Sequence, residues 1–304
     1  MRKTTSFINA SKWHIGSRKA RRLLLAAFLI LAVGGVGTVL KTALAHGGTP
    51  ARSQASLGGG TRGWIVGAYV LPMLEKAGAS SSLLKAAFDN AGTYVFGAAA
   101  TVGVPMADYQ SYQKISAAFA NGTLPGRYKA LMYDNEHWSY TPLAEQEDPS
   151  KYENLVADLA HRYGMLFIAA PAADIVRASG TVVDNSTQQT YLARDIAGNA
   201  ARYADVIDIQ AQYLEPNAAK FANFVKTAAA QARTANPKVK VYVGLATGPD
   251  GQIVSESQLY GALRIASDYA NGYWLNISGK GGYCPNCSAP KPELAVKLLQ
   301  RLYP

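Results

Sequence analysis

Histidine and cysteine are scarce in this chain of 304 residues, which holds four of the first and two of the second. Only His46, His137 and His161 lie beyond residue 45. They are too few for a His-rich metal centre, and neither a metal nor another cofactor is expected, although an oxygen-ligand site built from aspartates stays open. The two cysteines sit together in Tyr283-Cys284-Pro285-Asn286-Cys287-Ser288. With no second pair and no nearby histidine, zinc is disfavoured, and the surrounding pattern is not that of a thioredoxin-like site. Pro285-Asn286 favours a tight turn. In an oxidising compartment the Cys284–Cys287 pair reads as a structural disulfide that clamps a loop. No Gly-x-Ser-x-Gly elbow is present, so no Ser/His/Asp triad is suggested. No Gly-x-Gly-x-x-Gly follows the first predicted strand and there is no Walker-type loop, which weakens a nucleotide-binding reading.

Acidic residues are absent from residues 1–45, where eight Lys and Arg fall. The basic stretch Arg18-Lys19-Ala20-Arg21-Arg22 runs into an apolar stretch, Leu23 to Leu40, and Ala43-Leu44-Ala45 then offers a cleavage site. This is the pattern of a secretory signal peptide, with cleavage expected after Ala45. Arg21-Arg22 faintly suggests twin-arginine export. The alternative is an uncleaved membrane anchor, since the apolar stretch is about long enough to span a bilayer. Of the chain's 30 basic and 20 acidic residues, 22 and 20 fall after residue 45, so the net charge of +10 drops to +2. The basicity belongs to the export signal, and no nucleic-acid partner is expected. Membrane association is expected only through that segment. Residues 46–62 are rich in Gly, Ser and Pro and read as a flexible linker. Residues 63–304 are enough for one domain with a large core.

Within that domain, apolar β-branched runs alternate with helical patterns. Strands are predicted at 64–70, 94–99, 128–133, 165–170, 206–210, 239–245 and 273–277. Helices are predicted at 81–91, 107–120, 150–163, 187–203, 217–235, 255–270 and 291–302. Asp148-Pro149 supplies an N-cap and a first-position proline, and Gly164 a C-terminal glycine. Such alternation implies a parallel sheet with crossover helices, and strands that are apolar throughout imply that both faces are covered. The first expectation is a (β/α)8 TIM-type barrel with one of its strands not visible, since seven are seen. The second is a doubly wound open parallel sheet.

The polar residues at the strand ends carry the functional signal. Tyr133-Asp134-Asn135-Glu136-His137-Trp138 follows the run 128–132. Burying carboxylates costs several kcal/mol unless they are paired or used, and the C-terminal strand ends of a parallel barrel are where chemistry is done. Asp134 and Glu136 are two apart, so both point to one side, with Cα atoms roughly 6.6 Å apart. One can then raise the proton affinity of the other, as a general acid requires. Glu136, further out, is the candidate acid and Asp134 its helper. His137 would face away. Trp138 could stack on a sugar ring or fill the rim. Thr141-Pro142 with Glu145 looks like a helix cap, which makes Glu145, Glu147 and Asp148 helix-start acids. A second polar set falls on 204–215. Asp208, Gln210 and Gln212 share a side, with Tyr213 and Glu215 just beyond, and inward polar groups need partners such as a substrate. On the last strand Trp274 and Asn276 share a side. Asp174 is a weaker strand-end acid.

The acid pair Asp134-x-Glu136, the set from Gln210 to Tyr213 and Trp274 resemble the site layout of chitinase-type glycoside hydrolases, which are TIM barrels. The resemblance implies that Glu136 protonates the glycosidic oxygen, that Asp134 positions an acetamido group of the substrate, and that no protein nucleophile is used. The chain departs from that layout at Met132, where the motif carries another aspartate, and at Gln212-Tyr213, which replaces a Tyr-Asp pair. The stretch from Tyr133 to Pro149 also resembles secreted bacterial proteins to which no activity attaches. A secreted glycosidase acting on an extracellular or cell-wall polysaccharide is the leading expectation. A barrel that binds such a polysaccharide without cleaving it is the alternative, followed by a scaffold whose acids are structural. Carbohydrate is the expected partner, and the oligomeric state is open.

Overall fold

The structure, a computed structural model, describes residues 62–97 and 101–304. The expected export signal lies outside the described residues. So do the expected linker, apart from Arg62, and residues 98 and 99 of the second predicted strand. The described chain runs β1 (Gly63–Gly67), α1 (Val70–Lys76), α2 (Ser81–Phe88), β2 (Tyr94–Phe96), β3 (Val104–Tyr109), α3 (Tyr112–Ala120), β4 (Ala130–Tyr133), α4 (Leu143–Glu147), α5 (Pro149–Arg162), β5 (Leu166–Ala169), α6 (Thr187–Ala193), α7 (Ile196–Ala201), β6 (Val206–Ile209), α8 (Ala218–Ala235), β7 (Lys240–Ala246), α9 (Glu256–Ala266), β8 (Gly272–Asn276) and α10 (Pro292–Leu302). Each strand pairs in parallel with the next, and β8 closes on β1 with Tyr273 opposite Trp64. The closed eight-stranded barrel excludes the open sheet. Among the described residues no helix is long and apolar enough to cross a membrane.

The eighth strand is β3, which occupies a stretch expected to begin a helix at residue 107. Pro105 hid it, because proline removes a ladder donor. Pairing with β4 begins only at Met106–Ala130, so the missing N–H falls before that ladder starts. The helix itself begins at Tyr112, with Ser111 accepting from Lys114 N at 3.2 Å as its N-cap. Other boundaries differ as well, and several elements are shorter than expected, as with α2 and α9. The first strand ends at Gly67, and 187–203 is two helices, broken where Asp195 adopts a left-handed conformation at φ 53°. Asp148 caps α5 and Gly164 ends it with φ 67°, as the sequence indicates.

Alternate residues of each strand divide between two apolar layers. Outward ones such as Val66, Leu131, Phe167, Ile207 and Val243 pack under the helices. Inward ones, including Ile65, Met106, Met132, Ile168, Val206 and Tyr242, fill the lumen. Full burial of each large apolar side chain stabilises by roughly 1.5–3 kcal/mol. The lumen is shaped around Tyr242. A Cβ on Gly272 of β8 would stand 2.5 Å from its ring and 2.6 Å from the Gly63 carbonyl oxygen. The glycine admits the ring, and an alanine there forces a backbone shift. Overpacking of this kind costs typically about 1–3 kcal/mol. Gly272→Ala is therefore expected to lower the denaturant midpoint by a corresponding amount with little change in slope. An unchanged midpoint would show that the lumen is not tightly filled at Tyr242.

Candidate active site

Along four strands the inward side chains change from apolar to polar toward the C-terminal end. On β3 Val104 and Met106 give way to Asp108 and Gln110, and on β4 Ala130 and Met132 give way to Asp134 and Glu136. On β6 Val206 is followed by Asp208, Gln210 and Gln212, and on β8 Trp274 is followed by Asn276 and Ser278. The period of two carries each strand's pattern past its last ladder bond into the mouth. A cavity of about 470 Å³ opens there. Its wall includes Asp134, Glu136, Trp138, Gln210, Gln212, Tyr213, Trp274 and Asn276, so eight of the nine expected catalytic and substrate-binding residues meet in one place. The ninth, Asp208, is displaced from expectation. It is fully buried one inward step below Gln210 and does not line the cavity.

Gln210 joins the two acids. Its side-chain amide donates to Asp134 Oδ1 at 2.8 Å and to the Ala170 carbonyl at 2.8 Å, and its dipole lowers the proton affinity of nearby Glu136. Gln212 Nε2 donates to Gln210 Oε1 at 3.3 Å. On β3 Gln110 Nε2 donates to Asp108 Oδ2 at 3.3 Å, while Asp108 Oδ1 accepts from no described group. Among the described residues no basic side chain lines this wall.

Burial, with no counter-cation among the described residues of the wall, raises the proton affinity of every one of these carboxyls. Burial, then the charges of Asp174 and Asp108, push Glu136 up to about 8 against the amide of Gln210. Asp134 is held well above the usual carboxylate range, first by burial and then by Glu136 and Asp108. Burial pushes Asp108 up to about 7 and Asp208 up to about 8. Within the pair, the charge of Glu136 adds to burial in raising the proton affinity of Asp134.

The segment after β4 is pinned from two sides. Thr141 Oγ1 accepts from Trp138 Nε1 at 2.8 Å and from the Glu136 N–H at 3.4 Å, and donates to the Gln110 carbonyl at 2.8 Å. Its hydroxyl therefore ties the β4 loop to the β3 loop and does not cap α4, which lacks a side-chain cap. Glu145 is buried and accepts from the Tyr112 N–H at 2.6 Å, the Gln113 N–H at 3.2 Å and the Tyr133 hydroxyl at 2.7 Å. It serves the start of α3, not that of its own helix, and is structural either way. His137 is exposed and bonded through Nδ1 to Gln146 Oε1 at 2.7 Å, away from the wall. Asp174 accepts the His137 N–H at 3.1 Å. Glu215, expected near the site, is instead buried and accepts the Ala246 N–H at 2.7 Å, tying the end of β6 to β7.

Several contributors were not singled out in the sequence, among them Asp108, Gln110, Asp250 and Tyr283. Asp108 and Gln110 come from the hidden strand. Tyr283 comes from the loop closed by the bonded Cys284–Cys287 pair, which supplies Gly281, Gly282, Tyr283 and Cys284 to the wall. There Tyr283 meets Tyr140 at 4.8 Å and Trp138 at 5.7 Å between ring centroids. Among the described residues no group of three or more His, Cys, Asp and Glu could hold a metal ion.

No protein-family model matches the chain. No curated protein matches it either. Among solved structures it is similar to a sugar phosphate isomerase/epimerase from Parabacteroides distasonis ATCC 8503, at 11% identity over 84% of this chain and 98% of that one, with a TM-score of 0.43. A glycoside hydrolase family 17 beta-1,3-glucanosyltransferase from Rhizomucor miehei is similar at 11% identity over 67% and 76%, with a TM-score of 0.37. Triosephosphate isomerase from Bartonella henselae is similar at 12% over 79% and 99%, with a TM-score of 0.36. Likenesses this weak assign neither activity nor ligand, and the barrel rests on its own strand pairing.

The retained protons link stability to pH. Asp208 moves from an ordinary value of 3.8 to about 8 on folding, so between those values the folded chain binds a proton that the unfolded chain has lost. Stability then falls as pH rises through that window. Glu136, also raised to about 8, and Asp134 act in the same direction. The melting temperature is expected to be higher at pH 5 than at pH 9, and Asp208→Asn is expected to shrink that difference. A melting temperature that rises from pH 5 to pH 9 would contradict the raised proton affinities.

Proposed function

We propose that the chain is an exported glycoside hydrolase that cleaves a polysaccharide, with Glu136 as the general acid. The observation that carries this reading is the placement of Glu136: a carboxyl that holds its proton up to a pH of about 8, at a strand end, facing a cavity with aromatic and amide walls. Glu136 donates its proton to the glycosidic oxygen as the bond from that oxygen to the anomeric carbon breaks, and the bonding electron pair stays on the leaving oxygen. Water then adds hydroxide to the anomeric carbon, and its remaining proton returns to Glu136. One water is consumed and two hydroxyl ends form. Gln210, bonded to Asp134 and close to Glu136, positions the pair, and Asp134 stands beside the reacting centre. Trp274 in the lumen and Trp138 at the rim offer faces to sugar rings. Export is supported by the basic and apolar stretches before Ala45, where cleavage would leave a linker over residues 46–62. The disulfide-bonded Cys284–Cys287 pair suits an oxidising compartment.

A second reading, a barrel that binds glycan without cleaving it, is favoured by the departures at Met132 and Gln212-Tyr213. It predicts glycan retention with no new reducing ends. For the hydrolase, Glu136→Gln is expected to lower kcat by about 10²–10⁴, the usual worth of a general acid, while the melting temperature at pH 6 stays close to that of the parent. Full activity in the variant would rule out the assignment. In the parent enzyme kcat/KM is expected to fall on an alkaline limb near pH 8, set by the free-enzyme acid. A profile flat from pH 6 to pH 10 would exclude Glu136 as the proton donor.

A further inference from the structure

The charge of the cavity wall restricts what can bind there. Asp108, Asp134, Glu136 and Asp250 line it, and among the described residues no Lys, Arg or His does. Lys114 stands over the Tyr140 ring at 5.9 Å but does not line the cavity. Two lining side chains more than nine-tenths buried have polar atoms to spare. Asp134 is 6% exposed, and the one hydrogen bond its side chain makes to a described residue is that which Oδ1 accepts from Gln210; Gln212 is 5% exposed, with Oε1 unpaired among the described residues. Asp108 Oδ1 also lacks a described donor. Buried acceptors are satisfied by donors, and a cluster of carboxyls that can ionise favours a donor that is itself a cation. An anionic sugar would oppose the ionisation of these carboxyls in a poorly solvated site and would leave their acceptors without a donor. The aromatic faces of Trp138, Trp274 and Tyr283 suit a sugar ring and also attract a cation.

From this wall we infer that the polysaccharide is built of hexosamines with free amino groups, and that the ammonium group of one unit is held by Asp108, Asp134 and Gln212. The choice of a sugar polymer rests on the hydrolase reading above, whereas the charge preference rests on the wall itself. A free amine is also consistent with the departures from the acetamido-directed layout at Met132 and Gln212-Tyr213.

The test is calorimetric titration of the full chain, made inactive by Glu136→Gln, with three probes of equal length: a fully deacetylated glucosamine oligomer, its N-acetylated counterpart and an oligogalacturonate. The deacetylated oligomer is expected to bind at least about tenfold more tightly than the acetylated one, to weaken as salt rises, and to release protons; the oligogalacturonate is expected not to bind. Asp108→Asn is expected to weaken binding of the deacetylated oligomer severalfold and to leave the acetylated one unchanged. Because Asp108 lies in the lumen, Asp250→Asn serves as a second variant. Asp250 lies on an exposed loop with φ 46°, a conformation asparagine accepts. Equal or tighter binding of the acetylated or anionic probe would overturn the inference, as would no effect of either substitution. Tight binding of the amine oligomer without cleavage by the parent chain would uphold the charge preference and defeat the hydrolase reading. Cleavage of a neutral glycan with no preference for amines would do the reverse.

Discussion

Carboxyls gathered in a barrel mouth, with no counter-cation among the described residues that line it, set the terms for the rest of the molecule. Asp108, Asp134, Glu136 and Asp208 come from three neighbouring parts of the lumen, and ionising any of them there means placing charge in a poorly solvated space already shared with others. The structure meets that cost with protons and side-chain amides. Gln110 serves Asp108, and Gln210 serves Asp134 and Glu136. A site of this kind suits proton donation. The same arrangement weakens the fold as pH rises, a cost of the sort that functional sites commonly impose on their scaffolds.

The barrel supplies the rigidity such a site needs. Below the mouth, the lumen is filled by apolar side chains around Tyr242, with glycines on neighbouring strands where the ring passes. Above it, the loop that carries Glu136 and Trp138 is fixed by Thr141 to the β3 loop, and Glu145 binds the start of α3 to Tyr133. These acids and hydroxyls satisfy backbone donors at element ends, so the loop bearing the candidate acid is held by elements on both sides of it. The disulfide-closed loop completes the wall by setting Tyr283 against Tyr140 and Trp138.

Most of the barrel was legible because its strands are continuous apolar runs and its helices carry their caps. β3 was not, because Pro105 breaks the expected strand chemistry and because the run turns polar at Asp108. A signal was nonetheless present. Met106-Ala-Asp108-Tyr-Gln110 repeats the pattern of Met132-Tyr-Asp134-Asn-Glu136, with an inward methionine, then an inward acid, then an inward amide or acid. Two successive strands that end alike imply a common wall. The period of two placed Asp134 with Glu136 and Gln210 with Gln212, as alternation must. It could not tell that Asp208 stops below the floor, because depth along a strand depends on the register of its neighbours. Nor could it foresee that Glu145 reaches across to α3, since such a tertiary bond leaves no local trace.

The central claim is that Glu136 keeps its proton into the mildly alkaline range in the folded protein. The most direct measurement is a carboxyl titration by infrared difference spectroscopy, comparing the parent chain with Glu136→Gln across pH 4 to 10. A protonated carboxyl band that is lost with a midpoint near 8 and is absent from the variant is the expected result. A midpoint near the ordinary glutamate value of 4.5 would contradict it.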